Sequence, residues 1–192
     1  MESFNIVEED IPELYNYGKV SIALEVKSEY KIELLNNGLD GMVFKEINVE
    51  KPYCLDYDED KGEGPERWLK FGNLENWRIF SAYDKNKRVG GAVLAFNTPG
   101  IYMLEGRDDI SVLWDIRVDA GYRGKGVGTA IFQKCIEQSK KLGCKRLKVE
   151  TQNINVNACK FYMKQGATLG SVNRYAYDNK SLGTQLIWNI EL

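Results

Sequence analysis

A mixed α/β sheet is the fold class this sequence predicts, and three observations predict it. Two strand-like runs, Arg78–Tyr83 and Val89–Phe96, flank the polar turn D-K-N-K-R and should pair as an antiparallel hairpin. A third run, Ile110–Val118, is separated from the short strand Arg146–Glu150 by one amphipathic helix, so the two strands should lie parallel across a crossover. Two last runs, Ser171–Tyr177 and Gln185–Ile190, read as a strand pair around D-N-K-S-L-G. The expected result is a largely antiparallel sheet with one central parallel pair and flanking helices. A chain of 192 residues suits one domain with a proper core.

The elements follow in order. Ile11–Tyr17 reads as a short helix opening at Asp10-Ile11-Pro12, with the acidic cap and early proline that helix starts favour. Val20–Val26, V-S-I-A-L-E-V, alternates as a strand does, and so does Met42–Val49. Asp56–Glu66, D-Y-D-E-D-K-G-E-G-P-E, is acidic and aperiodic, so an exposed loop is expected, with a short helix at Arg67–Phe71 after it. Gly126–Leu142 places Ile131, Cys135, Ile136 and Leu142 on one helical face, and Gly143 stands where helices end. Asn155–Gln165 is a second helix, closed by Gly166. The sequence contains no internal repeat and no low-complexity tract.

Composition removes whole classes of function. The formal charge of −2 offers no basic excess for nucleic acid. Without any histidine there is no Ser-His-Asp or Cys-His hydrolase and no His-ligated metal, and no metal site is expected. Proton transfer must use carboxylates, Tyr, Lys, Cys or water. Cys54, Cys135, Cys144 and Cys159 form no C-x-x-C pair, and the plain reading is buried thiols in a reducing compartment. The acidic start M-E-S-F-N-I-V-E-E-D lacks the apolar region of a signal peptide, and no apolar run approaches the ~20 residues that span a bilayer. A cytoplasmic protein with no membrane partner is expected.

Chemistry enters at Y-R-G-K-G-V-G-T, Tyr122 to Thr129, between the third strand and the helix. Gly124, Gly126 and Gly128 strip side chains from amides lying at the positive end of a helix dipole, which suits an anion. Arg123 and Lys125 add full charges. A tight turn with no ligand is the plainer alternative. A P-loop needs a lysine before the Ser/Thr, and here Thr129 follows Gly128 directly. A dinucleotide fold needs its glycines near the first strand of a βαβ series, not after a hairpin.

The stretch V-D-A-G-Y-R-G-K-G-V-G, Val118–Gly128, resembles the acetyl-CoA-binding turn of the GCN5-related N-acetyltransferase (GNAT) superfamily, with Ala120 where many members carry a proline. N-V-N-A-C-K-F-Y-M-K-Q-G, Asn155–Gly166, is similar to that family's N-x-x-A-x-x-F-Y-x-x-x-G helix, although alone it reads equally as core packing. Together the two motifs cover a likeness from about Trp77 to Leu192. It implies one GNAT domain over residues 1–192, with 77–192 as the acetyl-CoA-binding core and 1–76 as a variable, substrate-side part. Within the superfamily, L-W-D-I-R-V, L-K-V-E-T-Q-N and A-C-K-F-Y most resemble streptothricin acetyltransferases and their relatives.

Acetyl transfer from a thioester to an amine requires a bound cofactor, a deprotonated amine, a stabilised oxyanion and a protonated thiolate. The resemblance implies that acetyl-CoA rests its pyrophosphate on the amides of Arg123, Gly124, Lys125, Gly126, Val127, Gly128 and Thr129. Its pantetheine arm would run beside Ile116, Arg117 and Val118, where a backbone group could polarise the thioester, with Asn155 on the other side. Tyr162 is the family-matched general acid, since an unperturbed phenol, of pKa about 10, stays protonated at neutral pH and can donate to a thiolate; a Tyr packed on the sheet with its hydroxyl in water is the plainer alternative. For the base, Glu150, Asp115 and a water chain stay open. Glu150 matches the place of a glutamate base in ribosomal-protein N-terminal acetyltransferases, but either carboxylate reads equally as a structural partner, Asp115 as an ion-pair partner on its strand.

Cys135 and Cys159 lie on helices with no histidine to activate them, which argues against an acyl-cysteine route. Asp56, Asp58, Glu59 and Asp60 either steer a cationic amine or form a solvated loop, and Trp68, Trp77 and Trp114 either wall a cleft or fill the core. The expectation is direct acetyl transfer to a primary amine of a small molecule, such as a cationic antibiotic. The alternatives are a protein N-terminal or lysine acetyltransferase and a non-catalytic acyl-CoA-binding module. A homodimer is expected, since dimers are common in the family.

Overall fold

The hairpin at the centre of the prediction forms as expected in the computed structural model, which describes residues 4–59, 64–177 and 182–192. Residues 60–63 of the acidic loop, Asp60 with them, and residues 178–181 of the D-N-K-S-L-G turn lie outside that range. The elements are β1 Asn5–Glu9, α1 Leu14–Tyr17, β2 Leu24–Leu34, β3 Met42–Leu55, β4 Trp77–Asp84, β5 Lys87–Phe96, β6 Ile110–Val118, α2 Val127–Lys141, β7 Arg146–Gln152, α3 Val156–Lys164, β8 Thr168–Asn173 and β9 Gln185–Glu191. Single 3₁₀ turns at Ile11–Glu13 and Pro65–Phe71 fall where short helices were expected. Two compact units divide the chain: residues up to Ala23 with Asp56–Val149 and Ile190–Leu192, and Leu24–Leu55 with Glu150–Asn189.

The first unit is a sheet in the order β1-β4-β5-β6-β7. Its pairings are antiparallel except for β6 with β7, whose parallel ladder joins Ile110–Leu113 to Arg146–Val149. Phe80, Leu94, Ile110, Leu113, Ile131, Phe132 and Leu147 are its innermost side chains. Two adjacent glycines on β5 let both faces pack closely. A side chain at Gly91 would strike the Tyr17 ring at 2.6 Å, and one at Gly90 would meet Arg117 O at 2.9 Å and Val127 Cγ1 at 3.2 Å. Val127 is the first residue of α2, so the head of that helix is seated over the end of β6, where Gly90 pairs with Val118. Ile131 and Cys135 face inward as expected, joined by Phe132 and Ser139, whereas Ile136 and Leu142 are only half-buried. Gly143 ends α2 at φ 80°.

Strand β1 was not expected. N-I-V-E-E has too little apolar alternation to read as a strand, and polar groups hold it instead. Glu9 accepts from Ser81 and Tyr83 (2.5 and 2.7 Å), and Arg88 Nη2 reaches both of its oxygens at 2.8 Å.

In the second unit β2 and β3 form an antiparallel ribbon. The strand expected at Val20–Val26 starts only at Leu24, because Val20 closes a turn by donating its N–H to Tyr17 O at 3.1 Å. The strand expected to end at Val49 continues to Leu55. Pro52 lies in the irregular stretch between the two halves of its ladder, where a missing N–H costs no ladder bond. The strand expected at Ser171–Tyr177 lies instead at Thr168–Asn173. Gly170 marks a register shift there, and Asn173 Oδ1 accepts from Tyr175 N–H at 3.0 Å, turning the chain away. Asn155 caps α3 by accepting from Ala158 N–H at 3.1 Å, and Gly166 follows the helix at φ 89°.

Candidate active site

Strand β6 changes character at Trp114. Val93 pairs with Asp115 and Leu94 with Leu113, so Trp114 is an extra residue, a β-bulge. The ladder to β7 ends at Leu113, while Ile116, Arg117 and Val118 continue to pair with Ala92, Gly91 and Gly90. Beyond the bulge the β7-side edge of β6 therefore has no ladder among the described residues. A strand edge of this kind can accept an extended chain.

That edge leads directly into the glycine loop. Gly124 and Gly126 take φ 77° and 91°, where L side chains are strained, and a Cβ on either would meet open space. Neither is glycine for want of room; both are needed for the backbone path. The first rung of α2 is Ala130 N–H to Gly126 O at 3.0 Å, so the amides of Val127 and Gly128 precede the intrahelical ladder. Arg123, Gly124, Lys125, Gly126 and Thr129 are exposed, Gly128 is half-buried and Val127 is buried. The result is an open, uncapped head of a 15-residue helix, fit for a polyanion. The loop and the strand edge fit a ligand that carries a polyanion beside an extended, hydrogen-bonding arm: one offers amides for the anion, the other a backbone for the arm.

The two cations differ in use. Arg123 donates from Nε to Val118 O at 3.0 Å and from Nη2 to Ala23 O at 2.7 Å, tying the loop to the strand end. Lys125 stands over the Tyr122 ring at 5.0 Å, as does Lys87. Sequence reading gave Arg123 a charge and a backbone amide for the anion; the tie its side chain makes was missed.

Arg117 has its guanidinium fully inside the protein, so only its backbone faces the strand edge. Its fork grips Asp115 from Nε and Nη2 (2.9 and 2.8 Å), and Nη1 donates to Val20 O at 3.1 Å and Asp58 at 2.6 Å. Tyr17 also donates to Asp115, and the Arg117 guanidinium lies 5.0 Å from the Tyr17 ring centre. Burial alone would pull the guanidinium down, but the carboxylates and the Tyr17 hydroxyl reverse this and hold it well above the ordinary arginine range. Burial, then Asp115, pushes the Tyr17 phenol up. Asp115 is thus an ion-pair partner, 6% exposed. Asp58 anchors the acidic loop on Arg117 rather than lying free in solvent.

Trp68, Trp77 and Trp114 cluster with ring centres 5.3–6.4 Å apart, the first two buried and Trp114 half-buried at the bulge. The core alternative describes Trp68 and Trp77. Cys135, Cys144 and Cys159 are buried and Cys54 is exposed. Burial lifts the Cys159 thiol from the ordinary 9.0 to about 12, and Cys135 rises further, so neither is a thiolate near neutrality.

The second unit carries Glu150, Asn155 and Tyr162. Glu150 is half-buried, and its Oε1 accepts from Tyr177 Oη at 2.6 Å. Gln152 Nε2 in turn donates to that hydroxyl at 3.0 Å. Tyr162 is buried on α3, 4% exposed. Asn155 spends its carbonyl oxygen on the helix cap. Sequence reading found Glu150 but not Gln152, which strand periodicity places on the same face, nor Tyr177, which only the turn after β8 brings there.

Fold and loop together define an α/β protein with an anion-binding helix head beside an open strand edge. Comparison with known proteins fixes the class: residues 44–167 match the acetyltransferase (GNAT) family. The chain is 32% identical over 148 residues to streptothricin acetyltransferase A of Bacillus subtilis (strain 168), covering 77% of this chain and 76% of that protein. It is 34% identical over 88 residues to a streptothricin acetyltransferase of Escherichia coli, covering 42% and 48%. Among solved structures, a candidate streptothricin acetyltransferase from Bacillus anthracis str. Ames, in complex with acetyl coenzyme A, superposes with a TM-score of 0.76 at 24% identity, covering 99% and 100% of the two chains. Nourseothricin acetyltransferase gives 0.75 at 19%, covering 98% of each. This chain belongs to the GNAT acetyltransferase family, whose acetyl donor is acetyl-CoA. Among the described residues no helix is long and apolar enough to cross a membrane.

Proposed function

We propose that this protein is an N-acetyltransferase that moves the acetyl group of acetyl-CoA to a primary amine of a small cationic molecule of the streptothricin type, conferring resistance to it. The observation that carries the proposal is the 32% identity to streptothricin acetyltransferase A of Bacillus subtilis over three quarters of both chains. In this reading the amides of Gly124, Lys125, Gly126, Val127, Gly128 and Thr129 hold the pyrophosphate. The backbone of Ile116, Arg117 and Val118 holds the pantetheine arm, and Asn155 is a further cofactor residue that the family resemblance implies. When bound, acetyl-CoA supplies the acetyl group as an activated thioester.

Glu150 is the base that takes the proton from the substrate ammonium nitrogen. The preference over Asp115 rests on access: Asp115 is filled by the Arg117 fork and Tyr17, whereas Glu150 is half-exposed. Tyr162 holds a proton at its Oη for the departing sulfur. Thiol release with acetyl-CoA and a panel of amines tests the reading: streptothricin, a peptide with a free N-terminus and a lysine peptide. Release with streptothricin is expected. Release with peptides alone would reassign the protein as a protein acetyltransferase, and tight cofactor binding with no release on any amine would make it a binding module.

A further inference from the structure

We infer that Tyr177, oriented by Gln152, is a positioning residue for the Glu150 carboxylate. This rests on the reading of Glu150 as the base. Glu150 and Gln152 are two apart on β7 and so share a face of the strand, while Thr151 between them is buried. Tyr177 follows β8 and meets both. Its hydroxyl has one proton, which goes to Glu150 Oε1 at 2.6 Å, and Gln152 Nε2 fills an acceptor position on the same oxygen at 3.0 Å. The amide therefore sets the direction of the phenol proton, and the phenol sets the plane of the carboxylate. A base that must meet a substrate nitrogen in one orientation gains from such a clamp, because misplacing it costs turnover more than binding. The Gln152 amide cannot take up the proton, so its contact orients the phenol and does not relay.

The test compares Tyr177→Phe, Gln152→Leu and Glu150→Gln with wild type, using acetyl-CoA and streptothricin. Tyr177→Phe should lower kcat about tenfold, the loss expected for one charge-assisted hydrogen bond. It should leave the KM for acetyl-CoA within about twofold. Gln152→Leu should do the same to a smaller degree. A second readout needs no turnover: with ¹³Cζ-labelled tyrosine, the Tyr177 resonance should shift in Glu150→Gln, which replaces the charged acceptor of its proton with a neutral amide. An inactive Glu150→Gln beside a Tyr177→Phe of unchanged kcat would overturn the positioning role alone. Lower thermal stability and weaker acetyl-CoA binding in Tyr177→Phe, with kcat at saturating substrates unmoved, would overturn it as well, in favour of a purely structural contact. Full turnover in Glu150→Gln would instead overturn the base assignment beneath it.

Discussion

Replacing Arg117 by methionine keeps much of the side-chain volume and removes the charge. The guanidinium is wholly inside and makes four hydrogen bonds, two to Asp115, one to Val20 O and one to Asp58. Asp115, 6% exposed, would be left with Tyr17 as its recorded donor and no cation. Stranding a buried charge in this way costs about 3–5 kcal/mol, against a total stability of roughly 5–15 kcal/mol. For a chain of this size each kcal/mol is worth about 2–4 °C, so the melting temperature should fall by roughly 6–20 °C. Tryptophan fluorescence during urea unfolding is the assay, because Trp68, Trp77 and Trp114 lie in the same unit and Tyr17 touches both Arg117 and Trp68. Adding Asp115→Asn should recover part of the loss, since a neutral amide strands no charge. A single variant within about 1 kcal/mol of wild type, or a double variant worse than the sum of its parts, would refute the network as the brace of β6.

Other substitutions separate structure from chemistry. Asn155→Ala should cost about 1 kcal/mol of stability through the lost cap, whereas Asn155→Asp should keep it; urea titration of both, beside their acetyl-CoA affinities, separates the cap from any cofactor contact. Gly90→Val would drive a side chain into Arg117 O and Val127, so α2 should loosen, stability fall by about 1–3 kcal/mol and acetyl-CoA bind more weakly, all by calorimetry. The thiol of Cys159, lifted to about 12, contributes stability while neutral; that contribution is complete below the ordinary value of 9.0 and is lost as pH rises through about 12. Iodoacetamide at pH 8 should therefore label Cys54 and spare Cys135 and Cys159 until urea is added, as read by mass spectrometry.

Much of this was legible in the sequence because the informative elements are locally determined. The hairpin, β6, α2 and the glycine loop each carry their own period or punctuation, and Ile110–Val118 was placed to the residue. What stayed hidden depends on distant partners. Strand β1 exists because Ser81, Tyr83 and Arg88 meet Glu9, and nothing within N-I-V-E-E announces them. Strand β3 runs past Pro52 because the ladder slips there, while a proline read locally ends a strand. Asp115 was read as either base or ion-pair partner, and only the approach of Arg117, Tyr17 and Asp58 separates the two. Tyr177 carries no motif at all; the turn at Asn173 puts it against Glu150.

The account stands on the glycine loop as the seat of a pyrophosphate, and isothermal titration of acetyl-CoA against wild type and Gly126→Glu tests this most directly. At φ 91° the glutamate would be strained, and its carboxylate would occupy the open space at the helix head and repel an anion. Tight binding to wild type and a loss of about 100-fold or more in the variant, with the fold intact by circular dichroism, is the predicted result. Equal affinity in the two proteins, or no binding by wild type, would contradict it.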